Sequence, residues 1–311
     1  MSKYNIHSDF DIFAKRTLPL NPLVLPILNK LIARSVNKLK SANGMSVTKE
    51  VISGYKGGKV ELTIIEPKGI QKNAPCLIYL HGGAFVLKGA PSHIHLVCEY
   101  ASKTPCKVIF VDYRLAPKYA FPFGVEDCYA AFEWVCEHAG VLGIDNNRIA
   151  IGGDSAGGAL AAAVTLMARE RKAPRICFQM LLYPVTDERQ ITESIKKYTD
   201  TPMWNAVLNE KMWKLYLKNG VDGNREYASP MEASSFENLP NAYVEIAEFD
   251  CLRDEGIHYA EALEKSGIQV ELYQTKGTIH GYDVAVNSEI VKQSVERRVE
   301  ALKIAFHLVD R

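Results

Sequence analysis

The stretch Ile149-Ala150-Ile151-Gly152-Gly153-Asp154-Ser155-Ala156-Gly157-Gly158 constrains this chain most, because it turns a buried apolar strand into a helix in a single step. Arg148 to Ile151 reads as a short core strand. Ala156 to Arg171 reads as a helix with Ala159, Ala161, Ala162, Ala163 and Leu166 on its inner side. Ser155 falls on the turn between them, inside Gly-x-Ser-x-Gly. A nucleophilic serine has to stand clear of the sheet on a strained turn, and Gly153 and Gly157 lack side chains where strand and helix come together. The Ala156 N–H then points at any anion forming beside the serine, helped by the helix N-terminus. Taken alone, the motif reads equally well as a glycine-rich turn that packs a helix on a strand.

Length and composition frame that reading. The chain has 311 residues, 47% hydrophobic and 23% charged, enough to bury a large core as one α/β domain with insertions or as two domains. A net charge of +1 gives no reason to expect nucleic acid or an anionic membrane as a partner. The seven cysteines, at 76, 98, 106, 128, 136, 177 and 251, include no Cys-x-x-Cys pair and suit buried free thiols in a reducing compartment. The N-terminus has no apolar signal core, and no run of 18 apolar residues occurs. A cytoplasmic location without stable membrane insertion is expected.

Residues 1–45 read as an arm before the main domain. Pro22 opens a helix reaching about Lys40, with Val24, Leu25, Leu28, Leu31, Ile32, Val36 and Leu39 on one stripe and Lys30, Arg34, Lys38 and Lys40 outside it. Such a face packs on the main domain or caps its mouth, with a weak membrane-surface helix as the alternative. Val60 to Ile65 alternates like an edge strand after a Gly57-Gly58 hairpin turn. Cys76 to Leu80 and Lys107 to Val111 are continuous apolar runs, as central strands covered on both faces should be. Helices over Gly124–His138 and Asp254–Lys265 are expected to alternate with strands over Ile176–Leu182, Tyr243–Ala247 and Gln269–Gln274. A final helix follows, with Val291, Val295, Val299, Leu302, Phe306 and Val309 on one stripe. That alternation implies a mostly parallel sheet with helices on both faces.

The surplus between Val185 and Asn241 exceeds one crossover helix. It holds Met203, Trp204, Met212, Trp213 and Tyr216, and it falls at the strand edge where open α/β sheets bind ligands. It reads either as a lid lining an apolar pocket or as a stabilising surface helical pair. A second chemical stretch, His81-Gly82-Gly83-Ala84-Phe85, follows the strand Cys76–Leu80, and its glycines free backbone N–H groups to face an oxyanion. His81 itself reads as a structural ring that ties down the loop. Among eight histidines, His280 stands apart, in a loop after the last strand and at the same sheet edge as Ser155. Its orienting acid should end the preceding strand: Asp250 fits, Glu248 is the rival, and Asp254 reads as a helix cap. The order serine, acid, histidine is one of the known chain orders of a serine triad.

These stretches resemble the hormone-sensitive-lipase-like carboxylesterases from about residue 45 onward. The resemblance is carried by His81-Gly82-Gly83-Ala84-Phe85, Asp112-Tyr113-Arg114-Leu115-Ala116-Pro117 and Gly153-Asp154-Ser155-Ala156-Gly157-Gly158. Tyr183-Pro184, Asp250-x-Leu252-Arg253-Asp254-Glu255-Gly256 and His280-Gly281 complete it. It implies an α/β-hydrolase fold, a mostly parallel sheet with helices on both faces and a helical cap. It also implies a triad of Ser155, Asp250 and His280, with an oxyanion hole on the Gly82-Gly83-Ala84 loop and Ala156. Phe85, Asp154 and the five insertion residues named above are the implied substrate contacts. The implied division is an arm over 1–45, a catalytic domain over 46–187 and 231–311, and a cap insertion over 188–230. Three positions depart from the family pattern: Ala84 replaces the third loop glycine, Lys118 an acid, and Cys251 a frequent proline.

The expected chemistry is two-step acyl transfer on a small-molecule ester of short or medium acyl chain, with no metal or organic cofactor required. A true lipase, an amidase or peptidase on the same triad, and a non-catalytic receptor are the alternatives. Plant gibberellin receptors exemplify the last and lack the histidine that His280 supplies. Oligomeric state is open, with a homodimer among the options.

Overall fold

The computed structural model describes residues 3–37, 44–221 and 223–309. Helix α1 (Leu25–Asn37) precedes the hairpin strands β1 (Met45–Ser53) and β2 (Lys59–Pro67). Then come β3 (Ala74–Leu80), α2 (Pro91–Lys103), β4 (Lys107–Asp112) and α3 (Phe123–Leu142). The second half runs β5 (Ile144–Asp154), α4 (Ala156–Glu170), β6 (Phe178–Leu182) and the short helices α5 (Glu193–Lys197) and α6 (Ala206–Tyr216). It ends with β7 (Asn241–Phe249), α7 (Arg253–Lys265), β8 (Val270–Ile279) and α8 (Glu289–Ala305).

The strands form one sheet in the order β1-β2-β4-β3-β5-β6-β7-β8, antiparallel at β1/β2 and β2/β4 and parallel elsewhere. Every residue of β3 is buried, as its unbroken apolar run requires of a strand covered on both faces. Alternate side chains feed two cores. Cys76, Ile78 and Leu80 join the layer of α3, α4 and α7, while Leu77 and Tyr79 join that of α2 and α8. The parallel strands bring the ends of β5, β7 and β8 to one edge, where Ser155, Asp250 and His280 follow them directly.

Several expectations are corrected. Val60–Ile65 lies inside β2, which is paired on both sides, so β1 is the edge strand. β8 runs to Ile279, which places His280 immediately after a strand. Asp254 is not a side-chain cap of α7. Its carboxylate accepts the Ser194 N–H of α5 at 2.7 Å and pairs with Arg253. α8 ends at Ala305, so Val309 lies beyond it and is exposed. In the arm, α1 begins at Leu25. Leu25, Leu28, Ile32 and Val36 face inward, whereas Val24 and Leu31 face solvent. Lys38, Leu39 and Lys40 lie outside the described residues. The seven cysteines are unpaired, and no helix among the described residues is long and apolar enough to cross a membrane.

α8 carries a fully buried Arg298 that ties it to β7, to α2 and to the segment after His280. Its guanidinium donates to Glu245 of β7 at 3.1 Å, to the Tyr100 hydroxyl of α2 at 3.0 Å, and to Tyr282 and Asp283 just after His280 at 3.0 and 3.1 Å. Arg298→Ala strands two buried carboxylates without their cation. It should lower the unfolding free energy by about 3–5 kcal/mol, read from urea unfolding curves.

Candidate active site

Ser155 sits at the junction of β5 and α4 with φ 54° and ψ −119°, in a region of backbone space that side chains seldom occupy. Its N–H donates to Leu182 O at 2.8 Å, and its carbonyl accepts the Val185 N–H at 3.2 Å, so β6 and the turn after it hold the strained residue. The neighbouring glycines are required by contact distance. A Cβ on Gly157 would lie 1.9 Å from Leu80 O, and one on Gly153 would lie 2.4 Å from the same oxygen. Helix and sheet close on the turn more tightly than any side chain allows.

At this edge Ser155 Oγ lies 2.8 Å from His280 Nε2, and His280 Nδ1 lies 2.7 Å from Asp250 Oδ2. A carboxylate only accepts, so Nδ1 carries the proton and Nε2 is left to accept from the serine hydroxyl. Asp250 is fully buried, and its second oxygen accepts the Leu252 N–H at 2.9 Å. Glu248 points elsewhere: its carboxylate accepts the Gly277 N–H at 2.8 Å, pinning the turn within β8 that precedes His280. The Tyr183 and Trp204 rings flank His280, with centroids at 5.0 and 5.8 Å.

The loop after β3 approaches from the opposite side. Gly83 and Ala84 have φ of 125° and 57°, and the hydrogen bonds of the described residues give neither N–H an acceptor. The Ala156 N–H, first in α4, is one of the unpaired donors every helix start leaves. Gly82 departs from the expected set, since its N–H donates to Asp154 Oδ1 at 3.0 Å and is already engaged. Asp154 is likewise consumed by the protein. Oδ1 also accepts from the Tyr79 hydroxyl at 2.9 Å, and Oδ2 lies 3.1 Å from His93 Nε2. It ties the serine turn to the glycine loop rather than reaching into open space. His81 stacks on Tyr113 at 4.4 Å, and its Nδ1–H donates to Gly82 O at 2.8 Å. Burial, with His93 nearby, pulls the His81 pKa down to about 4, so the ring stays neutral.

The insertion and the arm together cover this edge. Arg16 O accepts the Met203 N–H at 2.7 Å, and the Tyr4 hydroxyl donates to Asp200 at 2.5 Å. Phe85 lies flat on Tyr216 with centroids 3.8 Å apart, and Trp213 lies 6.1 Å from Phe85. Trp204, Met212, Trp213 and Tyr216 are buried, and Met203 is half-buried against the arm. The indole N–H groups of Trp204 and Trp213 and the Tyr216 hydroxyl have no hydrogen-bond partner among the described residues. Of the departures, Lys118 is exposed and lies over the Tyr119 ring, while Arg114 is paired with Asp127 of α3 through bonds at 2.7 and 2.6 Å. Cys251 is buried, which pushes its thiol pKa well up. Among the described residues no cluster of three or more His, Cys, Asp or Glu has metal-holding geometry.

Sequence reasoning missed the roles of His93, Tyr79 and Tyr183. His93 stands 61 residues from Asp154, and no local pattern announces the pairing.

Comparison with known proteins bears on this geometry. A family model described as the alpha/beta hydrolase fold matches residues 77–284. Esterase LipI of Mycobacterium tuberculosis is 35% identical over 76% of this chain and 75% of its own length. An ethyl acetate hydrolase of Pseudomonas putida is 37% identical over 66% of this chain and 65% of its own. A solved bacterial heroin esterase superposes with a TM-score of 0.87 at 31% identity, covering 97% of this chain and 98% of that one. A strained serine turn facing a histidine–carboxylate pair on such a sheet defines an α/β-hydrolase. Within that fold, the chain belongs to the hormone-sensitive-lipase-like carboxylesterases.

The Asp154 contacts predict a pH effect. Burial pushes this carboxyl pKa up, but His93, the Gly82 N–H and the Tyr79 hydroxyl outweigh it and hold the value at about 2, below the ordinary 3.8. A depressed carboxyl stabilises the fold above its unfolded pKa and loses that contribution as pH falls through the folded one. Wild-type stability should therefore drop on the order of 2 kcal/mol between about pH 4 and pH 2 from this group, by the linkage relation. Urea unfolding of Asp154→Asn across that window should show the decline reduced by this amount.

Proposed function

We propose that this carboxylesterase hydrolyses short- to medium-chain esters of small molecules through an acyl-enzyme on Ser155. The observation that carries the reading is the unbroken chain from Ser155 Oγ through His280 to the buried Asp250, at 2.8 and 2.7 Å. Ser155 Oγ attacks the ester carbonyl as its proton passes to His280 Nε2. The carbonyl electron pair moves onto oxygen, where the N–H groups of Gly83, Ala84 and Ala156 are free to receive it. Asp250 holds the imidazole and stabilises its protonated form. Collapse breaks the ester bond, and His280 returns the proton to the departing alcohol. A water, giving its proton to the same histidine, then attacks the acyl-serine and releases the acid.

The arm over 1–45 and the insertion over 188–230 act as the cap of a catalytic domain formed by 46–187 and 231–311. Met203, Trp204, Met212, Trp213 and Tyr216 supply its apolar lining, with Phe85 beneath. Support comes from the arm–insertion bonds and from the Phe85–Tyr216 stack, which join cap and glycine loop. The ethyl acetate hydrolase among the relatives supports a short acyl group.

Ser155→Ala should abolish turnover of p-nitrophenyl acetate while circular dichroism stays unchanged. Asp250→Asn should cost on the order of 10⁴ in kcat by imposing the wrong histidine tautomer. Glu248→Gln should cost far less, and the reverse ranking would reassign the acid.

Acyl length tests the enclosure. Each buried CH₂ contributes about 0.8 kcal/mol until the wall is met, after which added carbons must bend or displace the cap. In an enclosed pocket of ordinary size, kcat/KM across p-nitrophenyl esters should peak between roughly two and eight acyl carbons. It should saturate with dissolved substrate. A maximum at long chains with a jump above the solubility limit would make the protein a lipase instead.

A further inference from the structure

The outer face of α1 exposes a row of large apolar side chains. Leu23, Val24, Ile27 and Leu31 expose 85, 43, 64 and 52% of their area on one side of a single helix and its lead-in turn. At helical spacing Lys30 and Arg34 share that outer arc, and neither forms an ion pair among the described residues. The opposite face, through Leu25, Leu28 and Ile32, is what packs on the body. Clefts of about 720 and 710 Å³ flank the helix, one toward α2 and one toward the Tyr113–Tyr119 segment, so it stands off from the body on both sides.

Charge along this stretch of sequence is one-sided, although in space Lys49 pairs with Glu61 at 2.7 Å and Glu61, Glu99 and Asp112 line the clefts beside α1. Between Asp11 and Glu50 the sequence holds seven Lys and Arg and not one Asp or Glu. The near-neutral total of +1 hides this, because the remainder of the chain carries the balancing negative excess. An exposed apolar row set in an acid-free basic segment has the make-up of a helix that lies in an interface plane.

We infer that the outer face of α1 is a docking surface for anionic lipid, seating the protein peripherally with Leu23, Ile27 and Leu31 in the acyl boundary and Lys30 and Arg34 on the headgroups. Charge selects this occupant. A second copy meeting the same face about a two-fold axis would set one basic segment against another, a like-charge contact that opposes association. A bilayer rich in acidic lipid supplies both complements at once, apolar depth and negative surface. The surface also adjoins the glycine loop. The Asn29 amide donates to Val86 O at 2.8 Å and its carbonyl accepts the Lys88 N–H at 2.9 Å, just past Gly83–Phe85. A lipid-seated α1 therefore lies beside the loop of the candidate site, and no helix among the described residues is long and apolar enough to cross the membrane.

The test is co-sedimentation of the full chain with vesicles of phosphatidylcholine alone and of equal parts phosphatidylcholine and phosphatidylglycerol. Binding should appear with the anionic vesicles, stay weak with the neutral ones, and fall steeply as ionic strength shortens the Debye length to about 3 Å near 1 M salt. Lys30→Gln with Arg34→Gln should weaken the anionic partition about 30-fold, at the usual contribution of a basic residue near such a surface. Ile27→Gln with Leu31→Gln should weaken it roughly tenfold or more through lost apolar burial. Both double variants alter exposed positions, and their thermal unfolding midpoints should match wild type. Equal binding to both vesicle types, no binding to either, or partition unmoved by both double variants overturns the inference. So does a dimer in sedimentation equilibrium that Ile27→Gln with Leu31→Gln dissociates, since that would make a second copy the occupant.

Discussion

The site depends on one close approach, that of the serine turn to the end of β3. Gly153 and Gly157 sit so near Leu80 O that any Cβ would collide with it. This contact lets the β5–α4 junction turn sharply enough to lift Ser155 out of the sheet. It also sets the first N–H of α4 beside the glycine loop that continues from Leu80. The candidate nucleophile and candidate oxyanion donors thus come from neighbouring strands, β5 and β3, whose register fixes their separation. The histidine and its acid arrive by the same logic from β8 and β7, so parallel pairing gathers groups that are 125 residues apart in sequence.

A carboxylate inside the serine motif links the two loops. Asp154 is adjacent to Ser155, yet its oxygens serve Tyr79 of β3, the Gly82 N–H and His93 of α2. Were it a substrate ligand, its charge would oppose the negative charge that develops on the substrate oxygen in acyl transfer. Consumed by three donors, it holds the loop while Gly83 and Ala84 keep their N–H groups free. Ala84 fills a left-handed position that glycine would occupy without penalty. The loop tolerates this because the Leu87 and Val86 N–H groups both close onto Gly83 O.

Much of this was legible in the sequence, for reasons that are local. The apolar runs of β3 and β4, the Gly-x-Ser-x-Gly turn and the chain order of Ser155, Asp250 and His280 are short-range patterns that parallel-sheet topology converts into position. Boundaries moved where tertiary contact overrode pattern. β2 alternates like an edge strand but gains a neighbour on each side, and Asp254 has cap chemistry but is claimed by Ser194. The choice between Asp250 and Glu248 was not decidable from alternation, since residues two apart share a strand face. β7 ends at Phe249, which releases Asp250 to turn toward His280 and leaves Glu248 on Gly277. The partners of Asp154 and Arg298 were invisible because each spans tens to hundreds of residues and leaves no periodic trace. The basic outer side of the arm, at Lys30, Arg34, Lys38 and Lys40, was legible from helical spacing even though a whole-chain total averages it away.

Backbone strain and buried charge meet at the same place. Ala84, Phe85, Ser155, Tyr183 and Met203 all have positive φ; four belong to the serine turn, the glycine loop or the insertion, and Tyr183 directly follows β6 with its ring against His280. Such residues cost of order 1–3 kcal/mol each and persist only where their surroundings over-determine them. Here the surroundings are the buried polar groups behind the site. Tyr183 illustrates the coupling: its N–H donates to Glu245 O, its hydroxyl to Asp283, and both carboxylates are gripped by Arg298. Its ring in turn packs edge-on against His280. The strained residue is thereby fixed by a network with no free member to relax, and the imidazole inherits that fixity from a side chain it does not hydrogen-bond. Glu248 holds the same loop from Gly277, and Asp250 holds the ring itself, so His280 is constrained at three points along its segment. An imidazole held this way meets the serine hydroxyl at 2.8 Å, and as the proposed base it would need no reorganisation, the condition under which fixed dipoles act most strongly on a developing charge.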